Sequence, residues 1–293
     1  MKNNNDHAVF CADGASELNR GKIEVAGLYL YCLRERAEIA PEISIKGIDE
    51  KGGVFTLPYQ DLEAVVSEVS LEEFGSEEIQ KKAQEDLNWI KDKAVIHAKI
   101  IEKAMSQNDK ISSVIPMRFG TIFKEKARLE ETLDKDCSKI KEVFDRIRCK
   151  QEWCLKVYLK DRTKFVEVIK NKNEAIKEKE KEIAALDEGM AFFMEEELKT
   201  VISKEIDKEL NNMAEAIFES LKKEAVDSNK GKILEGELTG RREPMVLNAA
   251  YLIPEAIIEE FKKEAERLDQ EIQAKGFCLE YSGPWPAYDF SSY

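Results

Sequence analysis

The spacing of apolar residues changes several times along this chain, and each change predicts an element. Gly27-Leu28-Tyr29-Leu30-Tyr31-Cys32-Leu33 is an unbroken apolar and aromatic run, which predicts a short strand buried on both faces. Residues 52–57 and 62–69 predict two further strands, joined by a turn at Pro58-Tyr59-Gln60-Asp61. From residue 76 the spacing becomes three and four. Leu87, Ile90, Ala94, His97, Ile100, Ile101 and Ala104 share one face, which predicts one helix over 76–107. Its first turn carries Glu77 and Glu78 at the positive end of the dipole. Extended pieces at 111–115 and 119–123 flank Pro116, which lacks a donor and should end or edge a strand. A helix over 125–149 closes this half. Strands first and helices later define an α+β arrangement, a modified α+β sandwich.

The second half opens on Trp153-Cys154-Leu155-Lys156-Val157-Tyr158-Leu159, whose alternation predicts a strand. A long charged helical region follows over 163–226. Ile169, Ile176 and Ile183 fall seven apart, the thin seam of a two-helix coiled coil. From Met190 the stripe grows heavier through Phe193, Leu198, Val201, Ile202, Ile206, Leu210, Met213, Ile217 and Leu221. Leu186-Asp187-Glu188-Gly189 interrupts the pattern, so an antiparallel helical hairpin is expected. Strands at 232–238 and 245–253, a helix from Pro254 to Lys275 capped by Gly276, and a strand at 277–281 complete the order β-α-β-β-α-β. That order is the ferredoxin-like arrangement with a coiled-coil-like hairpin inserted in its first crossover. The expected organisation is a polar extension (1–22), an N-terminal α+β domain (23–150) and a C-terminal ferredoxin-like domain (151–293).

Composition narrows the function classes. The 293 residues include 59 acidic and 46 basic ones, a net charge of -13, which argues against a general phosphate-binding surface and so against nucleic acid. No apolar run approaches the roughly 18–20 residues that span a bilayer. The first residues carry neither a basic segment nor a long apolar stretch, so no signal peptide is expected. The six cysteines (Cys11, Cys32, Cys137, Cys149, Cys154, Cys278) form no CxxC pair, and the histidines are His7 and His97. This pattern predicts reduced thiols and neither a metal site nor a cofactor.

No catalytic constellation stands out. His97 shares a helix face with Ala94, Ile100 and Ile101 and lacks a second titratable partner, so a structural role donating one hydrogen bond is expected. Gly-rich phosphate loops and a Gly-x-Ser-x-Gly elbow are absent from the sequence. Acidic runs such as Glu195-Glu196-Glu197 read as solvated helix faces. Two stretches differ from this charged background because they combine Gly, Pro, large apolar side chains and a few polar groups. They are Val114-Ile115-Pro116-Met117-Arg118-Phe119-Gly120-Thr121-Ile122-Phe123 and Tyr281-Ser282-Gly283-Pro284-Trp285-Pro286-Ala287-Tyr288-Asp289-Phe290. The aromatics Trp285, Tyr288, Phe290 and Tyr293 are expected to complete a core more than to form an exposed tail.

These two stretches resemble the signature segments of the gas vesicle protein F/L family. Tyr29-Leu30-Tyr31, His97 with Ile100 and Ile101, Gly189-Met190-Ala191-Phe192-Phe193, and Met245 through Leu252 are similar to further family segments in the same order. The likeness runs from residue 25 to 293. Glu188 and Ala287 stand where the family commonly has proline. The resemblance implies a non-enzymatic, intracellular protein of the gas vesicle or cytoplasm. It further implies a minor component or assembly factor that contacts the small hydrophobic shell protein and other gas vesicle accessory proteins. Arg118, Phe119, Trp285 and Tyr288 are the expected partner-binding residues, on chemistry typical of interface hot spots. Two rival readings are a ferredoxin-like enzyme or small-molecule sensor and a scaffold that self-associates through its hairpin.

Overall fold

The computed structural model describes residues 26–36, 43–107, 110–236 and 240–292. The expected extension at 1–22, the end of the expected strand at 232–238, and Tyr293 lie outside the described residues.

The N-terminal half contains strands β1 (Ala26–Glu35), β2 (Val54–Tyr59), β3 (Leu62–Ser70), β4 (Ser106–Gln107), β5 (Lys110–Ile111), β6 (Val114–Pro116) and β7 (Ile122–Phe123). Its helices are α1 (Leu71–Phe74), α2 (Ser76–Glu85), α3 (Leu87–Met105) and α4 (Lys126–Ile147). The main sheet has the antiparallel order β2-β3-β1-β6, and β7 pairs with the other end of β1. As the central strand, β1 is apolar on both sides. Leu30 and Leu33 face one cluster, whereas Tyr29, Tyr31 and Cys32 face another that contains Ile100, Ile101 and Ala104 of α3. A register shift between Leu30 and Cys32 keeps Tyr31 and Cys32 on the same side.

Two expectations for this half need correction. The helix expected over 76–107 is two helices, because Asp86 leaves helical geometry and its Oδ1 accepts the Trp89 N–H at 3.0 Å. The apolar period continues across this cap, so periodicity alone did not reveal the break. The extended pieces around Pro116 are also shorter. β6 ends at Pro116, which lies on the sheet edge as its missing N–H requires, but residues 117–121 form a turn.

The C-terminal half runs β8 (Lys150–Leu159), α5 (Arg162–Lys172), α6 (Glu174–Ile183), α7 (Glu188–Lys222), β9 (Asp227–Lys230), β10 (Met245–Pro254), α8 (Ile258–Gln273) and β11 (Phe277–Trp285). Its sheet has the antiparallel order β11-β8-β10-β9. Alternation divides the two faces. Trp153, Leu155, Val157 and Leu159 of β8, with Leu247, Ala249, Tyr251 and Ile253 of β10, pack under the helices. The inserted segment consists of three helices rather than two, because the Asn173 Oδ1 accepts the Ile176 N–H at 3.3 Å and divides the first arm. Ile169, Ile176 and Ile183 are all buried and share a core with α7.

The strand expected at 232–238 is displaced to Asp227–Lys230. Hydrophobicity pointed to Ile233, but that residue is exposed. β9 is an edge strand held by backbone pairing with β10, and its side chains are tied by Asn229 to Asp289 and Lys230 to Glu215. A polar strand of this kind leaves no hydrophobic period to read.

The two halves share one core. Leu30, Leu33, Leu62 and Ile115 of the first sheet meet Ala250 and Leu252 of the second, with Leu129, Leu133, Ile140, Phe144 and Ile147 of α4 in the same cluster. Ala287 and Phe290 from the C-terminal segment complete it. The boundary expected after residue 150 falls at the first residue of β8, and hydrophobic packing crosses it.

Candidate partner-binding cleft

The segment after β6 takes its shape from four hydrogen bonds. Tyr29 points from β1 toward α3, and its hydroxyl accepts the Gly120 N–H at 2.8 Å. The Tyr29 hydroxyl lies 3.1 Å from His97 Nδ1, and His97 Nε2 lies 3.1 Å from the Met117 carbonyl. Because a carbonyl only accepts, His97 must donate from Nε2 and accept from Tyr29 at Nδ1. The Met117 N–H then donates to the Tyr31 carbonyl at 2.8 Å. Gly120 turns the chain at φ +80°, a conformation that disfavours any side chain.

Burial holds His97 neutral, with its pKa lowered to about 4. Both ring nitrogens are engaged, so no lone pair is free to take a substrate proton. Sequence reasoning anticipated one hydrogen bond; the structure gives two, and the second comes from Tyr29. Burial also raises the Tyr29 hydroxyl far above its usual range, which keeps it protonated as a donor. In Tyr29→Phe, the Gly120 N–H and His97 Nδ1 both lose their partner. The expected loss is about 1–3 kcal/mol of unfolding free energy. Urea denaturation monitored by tryptophan fluorescence checks this.

The C-terminal segment reaches the same place from the other half. Gly283 passes close to β8, where an added Cβ would lie 2.8 Å from the Trp153 ring and 3.0 Å from the Glu152 carbonyl oxygen. The Gly283–Pro284 peptide bond is cis. Beyond it, the Asp289 N–H donates to Glu152 Oε2 at 3.0 Å, and Asn229 Nδ2 donates to Asp289 Oδ1 at 3.0 Å. Arg146 of α4 donates from Nη2 to the carbonyls of Phe290 and Ser292. Ala287 and Phe290 are buried between these ties.

The two signature stretches therefore meet. Ala94, His97 and Ala98 of α3, residues 115–119 with Thr121, and Tyr288, Ser291 and Ser292 line an open cleft of about 660 Å³. Of the four residues expected to bind a partner, Arg118, Phe119 and Tyr288 line it. Arg118 is exposed and Tyr288 is 43% exposed. Burial and the nearby carboxylate Glu102 push the Tyr288 hydroxyl up to about 12. Trp285 lies apart, beside Met105, Gln151, Glu152 and Pro284, with its indole N–H on Ser282 Oγ at 3.0 Å. The aromatic tail is thus split: Phe290 completes a core, whereas Trp285 and Tyr288 keep exposed surface.

Tyr29, Ser291, Ser292, Arg146 and Glu152 were not singled out by the sequence. Tyr29 was legible only as a strand residue, and the others depend on contacts more than a hundred residues away in the chain. Among the described residues there is no cluster of three or more His, Cys, Asp or Glu side chains suited to a metal ion. No helix among them is long and apolar enough to cross a membrane.

Together these features define an α+β protein with two main sheets, whose halves share a core and leave an open cleft of mixed apolar and polar lining where they join. The family model described as "Gas vesicle synthesis protein GvpL/GvpF" matches residues 27–292, and the chain belongs to this family. It is 22% identical to gas vesicle protein L1 of Halobacterium salinarum over 295 residues, covering 98% of each chain. The crystal structure of GvpF from Anabaena superposes with a TM-score of 0.70 at 19% identity, covering 92% of this chain and 99% of that one. GvpF from Microcystis aeruginosa gives 0.63 at 19% identity, with 91% and 99% covered. These likenesses establish the shared fold.

Proposed function

We propose that this protein is a non-enzymatic gas vesicle accessory protein, a minor component or assembly factor, that binds the small hydrophobic shell protein during vesicle formation inside the cell. The observation that carries this reading is the convergence of the two signature stretches on one open cleft. Met117, Phe119 and Ile115 supply an apolar lining, and Arg118, Tyr288, Ser291 and Ser292 supply polar groups at its margin. Such a lining suits an amphipathic segment, whose apolar side is covered while its polar side remains hydrogen-bonded. Other gas vesicle accessory proteins are further partners on this reading.

The engaged state of His97 favours this role over the enzyme or sensor reading, because both ring nitrogens of the one histidine that lines the cleft among the described residues are already hydrogen-bonded. The sheet order β11-β8-β10-β9, in which the first and third strands of the half lie centrally, supports a ferredoxin-like description of the C-terminal domain. Self-association through the helical insertion is the remaining alternative, separable by light scattering of an insertion-deleted variant.

Arg118→Ala and Tyr288→Ala alter exposed side chains and should leave the fold intact. Each is expected to weaken shell-protein capture in a co-expression pull-down by roughly tenfold, the scale of an interface anchor. Capture at the unmodified level by the folded double variant would remove the cleft assignment.

A further inference from the structure

The helical insertion ends in an apolar surface that the other described residues leave exposed. α7 is 35 residues long, about 50 Å at the helical rise. Its later turns are anchored in the core by Leu198, Ile206, Ile217, Phe218 and Leu221. Its first turns reach that core only through the partly buried Ala191 and Met194 and leave larger side chains outside it. Met190, Phe192 and Phe193 are 58%, 60% and 74% exposed, and Leu186 just before the helix is 37% exposed. The rings of Phe192 and Phe193 meet edge to face with centroids 5.9 Å apart, which makes one continuous aromatic surface. Met190, Phe193 and Val201 lie on one side of the helix by their spacing, and Val201 is exposed as well.

The segment that carries this surface is acidic in its own sequence. From Glu182 to Leu198 the chain carries six acidic residues and no basic one. Asp187 caps α7 by accepting the Met190 N–H, and Glu195, Glu196 and Glu197 follow the two phenylalanines on exposed positions. Basic side chains reach this rim from outside the segment: Lys199 pairs with Glu196 at 2.7 Å and Lys179 with Glu197 at 3.8 Å. An acidic rim disfavours an anionic lipid surface, and it disfavours the same tip of a second copy. It favours an apolar helix face flanked by lysine or arginine.

We propose that the tip formed by Leu186, Met190, Phe192 and Phe193 is a second docking surface, and that its partner is an amphipathic helix with basic flanks. The proposal is independent of the cleft. Exposed phenylalanines provide the anchors, and the carboxylates select the partner's charge and orientation.

The test uses the full chain and two synthetic amphipathic helices with the same leucine face, one flanked by lysine and the other by glutamate. Fluorescence anisotropy is expected to show saturable binding of the lysine-flanked peptide only. Phe192→Ser/Phe193→Ser is expected to weaken it roughly tenfold or more with an unchanged circular dichroism spectrum, because both side chains are exposed. Glu195→Lys/Glu196→Lys should weaken the lysine-flanked peptide and admit the glutamate-flanked one. No saturable binding, equal binding of both peptides, or binding unaffected by the double serine variant would overturn the proposal. So would concentration-dependent dimerisation, or binding to anionic phospholipid vesicles, that the serine variant abolishes. Arg118→Ala should leave peptide binding unchanged, which separates this surface from the cleft.

Discussion

Glu63→Ala is expected to destabilise the protein by about 3–5 kcal/mol, the cost of leaving a buried charge without its counter-ion. Arg34 lies on the central strand β1 and is 1% exposed, and Glu63 on the neighbouring β3 is its partner. Nε at 2.9 Å and Nη2 at 2.8 Å both approach the same oxygen, Oε2. Only Nε is aligned as a hydrogen bond; Nη1 and Nη2 are buried and make none among the described residues. The guanidinium therefore depends on one carboxylate for nearly all its compensation. Removing Glu63 strands it, whereas removing both charges does not. Arg34→Met/Glu63→Leu should recover most of the loss, because well-packed apolar side chains avoid the desolvation penalty altogether. Equilibrium urea denaturation of Arg34→Met, Glu63→Leu and the double variant forms the cycle. Additive effects would mean that the pair is not energetically coupled.

The second large effect has the opposite sign. Glu152→Gln is expected to stabilise the protein by about 3 kcal/mol at pH 7, growing toward pH 8 and disappearing below about pH 4.5. Glu152 is 2% exposed on the face of β8 that meets the shared core. Burial raises its pKa from 4.5 to about 8, and the Asp289 carboxylate adds to the effect. In the unfolded chain the group ionises near 4.5, so between pH 4.5 and 8 the folded state holds the extra proton. Stability from this group is thus greatest at low pH and declines as pH rises through that window. Glutamine keeps an oxygen to accept the Asp289 N–H and an amide to face the Asp289 carboxylate, without the ionisation. His97 acts in the reverse direction. Its pKa falls from 6.5 to about 4, so its contribution is complete above 6.5 and is lost as pH drops. Comparing Glu152→Gln with the unmodified chain at pH 5 and pH 8 isolates Glu152, because His97 is common to both. An equal gain at the two values would show that ionisation is not the cause.

The strain at Glu152 has a place in the architecture. Its carboxyl holds the Asp289 backbone, and that tie fixes the turn carrying Ala287, Tyr288 and Phe290. An unfavourable buried acid is retained where it fastens the last segment of the chain across the join. Arg146 fastens the following residues from the other half. The cleft wall formed by Tyr288, Ser291 and Ser292 thus depends on both halves.

Much of the fold was determined by the sequence alone, wherever burial imposed a period. The run from Gly27 to Leu33 specified a strand covered on both faces, and Trp153–Leu159 alternates because β8 separates two cores. Caps inside continuous helical periods were less visible: Asp86 and Asn173 break helices without interrupting the apolar stripe. β9 escaped because an edge strand secured by backbone pairing needs no hydrophobic side chains. The signature stretches were recognisable as unusual, since their Gly, Pro and aromatic content specifies backbone and packing together. Only the tertiary structure decided that they share a cleft, that Trp285 lies outside it, and that Tyr29 and His97 shape its floor. Those facts rest on packing between distant segments and on hydrogen bonds between residues 20 to 146 positions apart in sequence, which no local pattern of hydrophobicity or charge encodes.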